Sequence, residues 1–331
     1  MQATDFDKLF SKFSSVKIGV VGDLMLDTYW WGHVERISPE APVPVVSLDK
    51  KEYRIGGAGN VALNLAALDA NVSIFSVIGS DDDGLVLKEM LGKNHIQSNY
   101  LLNSAERITT NKARIMSRNQ QMMRLDSETI LDLSTHDEEA IIRSVRTYLE
   151  NEKPQVIIFE DYNKGVLTSN VIGSVISLCK QHHVITAVDP KRKNFFSYKD
   201  VDIFKPNLKE VREGLNLLTE QINFETLKHI HQQLAEKLHH HISFITLSDK
   251  GVFYQNKENA KMISSHLRNI ADVSGAGDTV IAVASLIFAE TGDVELMAEV
   301  ANVAGGLVCE EVGTVPINKQ RLLKECKSLL N

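Results

Sequence analysis

Short apolar runs alternate with longer amphipathic stretches along most of this chain of 331 residues. Strands separated by helices predict a mostly parallel, doubly wound α/β sheet with helices on its faces. With only seven prolines and no Gly/Ser-rich linker, we expect a single domain over residues 1–331. The predicted strands are Val16 to Val21, Val72 to Ile78, Gln155 to Phe159, Val184 to Val188, Asp202 to Phe204 and Ile242 to Leu247. The predicted helices are Val61 to Leu68, Gly84 to Lys93, His136 to Glu150, Ser169 to Gln181 and Phe224 to Leu238.

Two segments interrupt this alternation. Residues 29–49 and 108–126 are rich in β-branched, aromatic and charged residues, with turn signals at Pro39 to Pro44 and at Asn119-Gln120. We expect them to form a small β-sheet lid inserted in the main domain, although an ordinary edge hairpin fits the pattern equally well. A second subunit can cover exposed strand edges, so a homodimer through the lid is expected.

Charge and cysteine content limit the partners and the compartment. The formal net charge is -7 and the pI is about 5.9, which argues against a nucleic-acid or anionic-membrane surface. Cys179, Cys309 and Cys326 are widely spaced and form neither a disulfide framework nor a zinc motif, so a reducing cytoplasm fits best. The sequence contains no apolar run of membrane-spanning length, and we expect no signal peptide.

The segment Asp272 to Thr279, DVSGAGDT, leads directly into the apolar stretch Val280 to Phe288. Unpaired N–H groups at a helix start attract anions, and glycines let a phosphate approach the backbone closely. Asp278 could take a proton from a hydroxyl, or it could simply cap the helix. An almost entirely apolar helix is buried, and a buried ionised Asp needs a partner or a chemical purpose. The segment therefore favours phosphoryl transfer.

A second glycine turn, Gly56 to Ala62, also opens a predicted helix. Gly57 to Ala62 satisfies the Gly-x-Gly-x-x-Gly/Ala pattern of dinucleotide-binding folds, but residues 51–55 make a poor buried strand for that motif. The other interpretation is a tight turn beside a polyol, with Asn60 bonding to hydroxyl groups. Asp23 and Asp27 follow the first predicted strand, where carboxylates suit sugar hydroxyls or cap a turn.

Three further segments follow predicted strands. Asp161 to Gly165 and Asp189 to Lys193 carry lysines that could form a local cationic patch for a phosphorylated substrate, or could be solvated loop charges. In Lys205 to Glu210, KPNLKE, Asn207 and Glu210 have capping-box spacing. Their functional alternative is to order water and Mg²⁺ around a triphosphate, but the pattern by itself favours the cap.

Three motifs in order, Gly56-Gly57 with Asn60, Asn207 to Glu210, and Asp272 to Asp278, resemble those of the ribokinase-like (PfkB) carbohydrate kinases. The resemblance covers nearly the whole chain. It implies a ribokinase-like fold, in which helices flank a central sheet and a β lid covers the sugar. It also implies ATP and Mg²⁺ as cofactors, with a small sugar or sugar phosphate as acceptor.

The same resemblance implies a role for each matching position. Asp278 would be the general base, while the N–H groups of Gly275, Ala276 and Gly277 would hold the transferring phosphoryl group. The substrate-binding residues would be Asp23, Asp27, Gly56, Gly57, Asn60, Arg118, Asp161, Lys164, Lys191 and Lys193. The nucleotide-binding residues would be Asn207, Ser248, Asp249, Gly251 and Asn302. Glu210 and Asp272 would act on the metal through water.

Within the family, the chain is most similar to the kinases that phosphorylate the anomeric 1-hydroxyl of D-glycero-β-D-manno-heptose 7-phosphate. That reaction gives the 1,7-bisphosphate and feeds ADP-heptose biosynthesis for surface glycans such as lipopolysaccharide. The similar segments are Arg36 to Val45, Ser117 to Gln121, Asp161 to Gly165 and Asp189 to Lys191. Such kinases are often fused to an adenylyltransferase with a His-x-Gly-His motif, which is absent here, so we expect a kinase without that domain.

Some positions depart from the common family pattern. Ser274 stands where Thr is frequent, Ser248 where glycine is usual, and Glu310-Glu311 where a lysine is common, so the nucleotide pocket should differ in detail. Three alternatives stay open: a related kinase for fructose, ribose or another sugar phosphate, a dinucleotide-dependent oxidoreductase using Gly57 to Ala62, and a sugar sensor without turnover.

Overall fold

The main sheet places strands from both halves of the chain side by side. A computed structural model describes residues 4–118, 120–217 and 222–330. Among them, nine strands form one sheet in the order β13-β12-β11-β10-β9-β8-β1-β4-β5, parallel from β10–β11 to β4–β5 and antiparallel at β11–β12–β13. The strands are β1 (Lys17–Gly22), β4 (Asn71–Gly79), β5 (Leu101–Ser104), β8 (Val156–Glu160), β9 (Ile185–Asp189), β10 (Ile203–Phe204), β11 (Ile242–Thr246), β12 (Val252–Gln255) and β13 (Ala260–Ile263). All six strands predicted from the apolar runs are confirmed.

Helices cover both faces of this sheet, as a doubly wound fold requires. They are α1 (Phe6–Ser11), α2 (Ala58–Ala67), α3 (Asp82–Lys93), α4 (Thr135–Glu152), α5 (Ser169–Gln181), α6 (Leu208–Leu215), α7 (Phe224–Leu238), α8 (Ala276–Thr291), α9 (Val294–Val308) and α10 (Lys319–Leu329). Side chains alternate across β8, so Val156 and Ile158 join one core while Ile157 and Phe159 join the other. The five predicted helices are confirmed, with α5 and α7 at the predicted bounds.

A second sheet of four strands lies beside the main one, in the order β3-β2-β6-β7. Its strands are β2 (Leu24–Ile37), β3 (Pro44–Gly57), β6 (Thr110–Ser117) and β7 (Gln120–Ser127). The sheet is mixed, because β2 pairs antiparallel with β3 but parallel with β6. It extends beyond residues 29–49, since β2 starts two residues after β1 and β3 continues to Gly57. Asn119, predicted as a turn residue, lies outside the described residues.

The path of β3 bears on the dinucleotide-binding alternative. That motif needs a buried strand of a parallel sheet leading into Gly57, whereas β3 pairs antiparallel with β2 in the second sheet. Gly57 adopts φ 59°, and a Cβ there would lie 2.2 Å from the Asp23 carbonyl oxygen. The turn therefore brings the start of α2 against the end of β1, and the Rossmann interpretation is wrong.

Helix α8 carries the glycine turn into the centre of the molecule. Its residues from Asp278 to Ile287 are buried, as its apolar sequence predicted. It packs between α2 and α9 and contacts β8 and β9. Among the described residues, no helix is both long and apolar enough to cross a membrane.

Candidate active site

Asp278 is the third residue of α8, and its side chain points away from the helix backbone. Its Oδ2 accepts a hydrogen bond of 2.7 Å from Asn60 Nδ2 on α2, and its Oδ1 accepts one of 2.8 Å from the Tyr162 hydroxyl after β8. The N-cap is Gly275, which has no side chain to cap with. The plain capping interpretation of Asp278 is therefore wrong, because its carboxylate joins three distant segments of the chain.

The environment of Asp278 suits a general base. Burial raises the pKa of Asp278 to about 6, and the nearby Asp189 carboxylate acts in the same direction, while the hydrogen bonds from Asn60 and Tyr162 oppose the rise. A carboxylate with such a pKa is largely ionised at neutral pH and still binds a proton more tightly than an exposed Asp does. Both properties favour proton transfer from a hydroxyl.

The glycine turn before α8 is held in a conformation that only glycine adopts easily. Gly275 has φ 77°, and a Cβ there would lie 2.6 Å from Asn60 Nδ2. In the described part of the chain, the N–H groups of Gly275 and Gly277 meet no acceptor, whereas the Ala276 N–H donates to Val273 O at 3.3 Å. The helix start therefore presents free N–H groups beside Asp278, the arrangement that binds phosphoryl oxygens.

Two lysines lie next to this helix start. Lys205, which is 2 % exposed, donates to Asp189 at 2.7 Å, and a Cβ on Gly277 would lie 3.7 Å from its Nζ. Lys191 Nζ lies 3.0 Å from Asp189 and 2.8 Å from Glu210. The basic loops thus bring Lys191 to the site already paired with acids. They do not bring Lys193, which pairs with Asp132 at 2.6 Å and is exposed.

Asn207 and Glu210 form the capping box that their spacing predicted. Asn207 Oδ1 accepts from the Glu210 N–H at 2.9 Å, and Glu210 Oε2 accepts from the Asn207 N–H at 2.8 Å. The other Glu210 oxygen, Oε1, is the one that pairs with Lys191. The motif therefore caps α6, and its Glu210 also contacts Lys191 of the site.

Asp23 and Asp161 hold the loop that carries Tyr162. Asp23 accepts from the N–H groups of residues 162, 164 and 166 at 2.8, 3.0 and 3.1 Å. Asp161 accepts from the Tyr198 hydroxyl at 2.7 Å and from the Asn163 N–H at 2.8 Å. Both carboxylates are buried, and their hydrogen bonds position the loop after β8.

Charged side chains of the second sheet lie near those of the loop that carries Tyr162. Asp27 pairs with Arg114 at 2.6 Å, and Lys164 pairs with Glu128 at 2.7 Å. Lys112 Nζ lies 5.9 Å from the centre of the Tyr162 ring. Burial and then the charge of Lys164 lower the pKa of Lys112, so the two ammonium groups act on each other. Arg118 lies at the exposed turn after β6.

Most of the residues expected to bind nucleotide lie farther along the same edge of the main sheet, after β10 and β11, and Asn302 lies in α9. Ser248 and Asp249 are exposed after β11, and a Cβ on Gly251 would lie 2.0 Å from the Ile263 carbonyl oxygen. Asn302 donates to Ser264 O at 2.9 Å. Ser248 has φ 56°, which explains why glycine would fit this position well.

Asp272 and Glu310 take part in intrachain bonds near that edge. Asp272 accepts from the Ser274 N–H and hydroxyl and from the Gly313 N–H at 2.8 to 2.9 Å. Burial alone would raise the pKa of Asp272, but these hydrogen bonds lower it below its usual value. Glu310 pairs with Arg268 at 3.1 Å and also with Arg321. The acids of the Glu310-Glu311 segment, which departs from the common family pattern, thus form ion pairs within the protein.

Sequence reasoning missed four residues of the site: Tyr162, Lys112, Lys205 and Glu160. The last two are buried charged groups, Glu160 as the final residue of β8 and Lys205 directly after β10. A charged residue at the carboxyl end of an apolar strand was the available signal, because parallel sheets place ligand groups at that edge.

This architecture defines a small-molecule kinase of the ribokinase type: a doubly wound sheet, a second sheet beside it, and an acid at a glycine-led helix start. The chain belongs to the pfkB family of carbohydrate kinases, whose model matches residues 16–321. Solved structures with the same fold include phosphofructokinase-2 from Escherichia coli in complex with potassium, with a TM-score of 0.78 at 16% identity over 96% of this chain and 99% of that one. Arabidopsis thaliana ribokinase complexed with ribose and ATP has a TM-score of 0.70 at 19% identity over 93% of this chain and 98% of that one.

Curated relatives are more similar in sequence. The bifunctional protein HldE of Syntrophotalea carbinolica is 35% identical over 97% of this chain and 65% of its own length. The HldE protein of Citrifermentans bemidjiense is 37% identical over 98% of this chain and 66% of its own length. The chain therefore spans slightly less than two thirds of these relatives.

Removing the Tyr162 hydroxyl should change the pH dependence of turnover. Tyr162→Phe deletes a hydrogen bond that lowers the pKa of Asp278. Asp278 must be deprotonated to act as a base, so activity is lost as the pH falls through its pKa. We expect the acidic limb of the kcat/KM profile, at fixed Mg²⁺, to move up by roughly one pH unit. Tyr100→Phe, which alters a ring stacked on Phe75, is the matched control. An unchanged limb in Tyr162→Phe contradicts the assignment.

Proposed function

We propose that this protein is an ATP-dependent kinase that phosphorylates the 1-hydroxyl of D-glycero-β-D-manno-heptose 7-phosphate in the cytoplasm, for ADP-heptose biosynthesis. The observation that carries the reaction type is Asp278, buried beside the glycine-led start of α8 and held by Asn60 and Tyr162. The segments named in the sequence and the relatives called HldE support the choice of acceptor. The second candidate is a related kinase acting on fructose, ribose or another sugar phosphate.

In the proposed reaction, Asp278 accepts the proton of the 1-hydroxyl as that oxygen attacks the γ-phosphorus of ATP. The bond from the γ-phosphorus to the β,γ-bridging oxygen breaks, and ADP leaves with that electron pair. The N–H groups of Gly275 and Gly277 stabilise the charge on the phosphoryl oxygens, and Lys191 and Lys205 add positive charge. Such transfers depend on positioning and charge stabilisation more than on covalent catalysis.

The adenine nucleotide would lie along the edge formed by Asn207, Ser248, Asp249, Gly251 and Asn302, with its phosphates directed toward α8. Mg²⁺ would neutralise phosphate charge there, held partly by water, since this ion keeps several waters when it binds a nucleotide. Glu210 fits such a role because its Oε1 faces Lys191 outside the capping box. Asp272 would act mainly by keeping the glycine turn in place.

The acceptor would lie between Asp278 and the second sheet. Asn60, Asp27 and the Gly56-Gly57 turn border this space, because a Cβ on Gly56 would lie 2.5 Å from Asp27 Oδ2. Lys112 and Lys164 are the cations on that side, so we assign them to the phosphate at the far end of the sugar. A neutral sugar would offer these ammonium groups no phosphate, and Lys164 would keep only its pairing with Glu128.

The acceptor proposal is tested by ADP release with ribose, fructose, fructose 6-phosphate, sedoheptulose 7-phosphate and heptose 7-phosphate. We expect the highest kcat/KM with heptose 7-phosphate. In Lys112→Met, KM for the phosphorylated acceptors should rise by about tenfold to a hundredfold, because a hydrogen bond to a charged group contributes about 1.5–3 kcal/mol. KM for ribose or fructose should stay nearly constant.

The matched control is Lys93→Met, which removes an exposed ammonium group on α3. Faster turnover of ribose or fructose than of any sugar phosphate would favour the second candidate. An equal effect of Lys112→Met on all acceptors would show that Lys112 does not bind the phosphate.

We also propose a homodimer that forms through the second sheet. This sheet exposes several large apolar side chains, among them Leu48, Met123 and Leu125 at 58, 55 and 46%. Leu48 is on β3 and the two others are on β7, the two edge strands of this sheet, and exposed apolar side chains on edge strands favour association with a second copy.

Light scattering tests the dimer directly. The wild-type protein should have about twice the chain mass of 36.9 kDa, and Met123→Glu should shift it to the monomer because the new charge would be buried at the interface. Met262→Glu on β13 adds the same charge to the main sheet and should leave the mass unchanged. A monomeric wild-type protein, or a dimeric Met123→Glu variant, contradicts this interface.

A further inference from the structure

Arg54, on β3 of the second sheet, reaches a loop that follows α9. Its Nη1 donates to the Val312 carbonyl oxygen at 3.4 Å, and a Cβ on Gly313 would lie 2.1 Å from the same nitrogen. The glycine, which has φ 74°, therefore leaves the space that the guanidinium group fills. Arg54 Nε also donates to Glu52 at 2.8 Å. The second sheet is thus in direct contact with the loop of residues 312–314.

The loop of residues 312–314 also holds the glycine turn before α8. The Gly313 N–H donates to Asp272 Oδ2 at 2.9 Å, and Asp272 Oδ1 accepts from the N–H and the hydroxyl of Ser274 at 2.9 and 2.8 Å. Thr314 packs on the turn itself, because a Cβ on Gly275 would lie 3.1 Å from the Thr314 methyl group. A displacement of this loop would therefore move the N–H groups that are proposed to hold phosphoryl oxygens.

On its other side, Arg54 is linked to the space proposed for the acceptor. The guanidinium groups of Arg54 and Arg114 lie over the Tyr29 ring, 4.7 and 5.2 Å from its centre, where a cation is attracted to the ring. Arg114 in turn pairs with Asp27 at 2.6 Å. Burial raises the pKa of the Tyr29 hydroxyl, and the charges of Asp27 and Asp272 raise it further. The ring therefore lies within electrostatic reach of an acid from each side.

These contacts form one continuous chain from Asp27 to the glycine turn. Its weakest step is the hydrogen bond from Arg54 to Val312, since 3.4 Å exceeds the usual range of about 2.7–3.2 Å. A ligand that fixes either end of the chain also orders this step, and the loss of conformational entropy then occurs only once. The ligand that binds second finds the contacts already formed, so each ligand strengthens the binding of the other.

We propose that Arg54 couples acceptor binding at Asp27 to nucleotide binding at the glycine turn. Arg54 is a positioning residue, because it reaches the reacting groups only through Gly313 and Asp272. The inference rests on the proposed function, since it needs an acceptor and a nucleotide in these two places. The coupling is reciprocal: the acceptor must tighten nucleotide binding by the same factor as the nucleotide tightens acceptor binding.

Calorimetric titration of a non-hydrolysable ATP analogue with Mg²⁺, with and without saturating acceptor, measures this factor. The acceptor is the one with the highest kcat/KM in the ADP-release series, so an error in naming the sugar does not affect the test. The wild-type protein should bind the analogue at least about fivefold more tightly with acceptor, which is the lower end of the usual coupling between sites. In Arg54→Gln the two dissociation constants should agree to within about twofold.

The ratio of the two dissociation constants separates coupling from a simple loss of charge. Removing the Arg54 charge could weaken nucleotide binding, but equally with and without acceptor, so the ratio would not change. Lys50→Gln is the matched control, because Lys50 also lies on β3 and donates to Glu52, at 2.9 Å, and it should keep the wild-type ratio. Gly313→Ala keeps the charge but places a Cβ against Arg54 Nη1, so it should lower the ratio as well.

Two results would overturn the coupling alone: equal dissociation constants in an active wild-type protein, or the wild-type ratio in an Arg54→Gln protein that melts cooperatively. Loss of the ratio in Lys50→Gln would overturn its assignment to Arg54, since the effect would then belong to the pairing of Glu52. A wild-type protein that releases no ADP with any acceptor would overturn the proposed function and this inference together.

Discussion

The burial of one carboxylate, that of Asp278, organises the centre of this protein. A buried anion needs hydrogen bonds, and those bonds come from Asn60 at the start of α2 and from Tyr162 after β8. These two hydrogen bonds bring the start of α2, which follows the second sheet, and the loop after β8 into contact with the start of α8. The position of Gly275, whose Cβ would collide with Asn60, follows from the same close approach. The residues that satisfy Asp278 also shape the pocket in front of it.

The remaining acids show how a protein with a net charge of -7 presents a site for anions. Asp189 is paired with two lysines, and Glu210 pairs with one of them while capping α6. Such pairing holds each ammonium group in position for a phosphate and keeps its charge in place. Asp23 and Asp161 serve the same pocket indirectly, because their oxygens accept hydrogen bonds from the backbone of the loop that they hold and, for Asp161, also from the Tyr198 hydroxyl. One acid in this region is thus proposed as the base, and the others lie as counter-ions and anchors, according to what surrounds each one.

The main sheet and its helices were predictable because apolar periodicity reports burial directly, and α8 is the clearest case. The start of β2 at Leu24 could not be predicted, because the chain passes from one sheet into the other within two residues. Gly22 is the one glycine or proline at that point. Asp278, Asn60 and the capping box could be found from local motifs. Local motifs could not reveal four other residues, because their positions in the site depend on which strands become neighbours in the folded sheet. These residues are Tyr162, Lys112, Lys205 and Glu160. Lys193 shows the converse: it lies two residues from Lys191 but pairs with Asp132 at the surface.

Asp278→Asn tests the proposed role of Asp278 as the general base most directly. Asn has nearly the same size but does not take up the proton of a sugar hydroxyl. ADP release should fall by about 10²–10⁴-fold, the usual contribution of a general base, while the affinity for ATP, measured by calorimetric titration, should remain close to that of the wild-type protein. Turnover at the wild-type rate in a folded, nucleotide-binding Asp278→Asn protein would contradict the account.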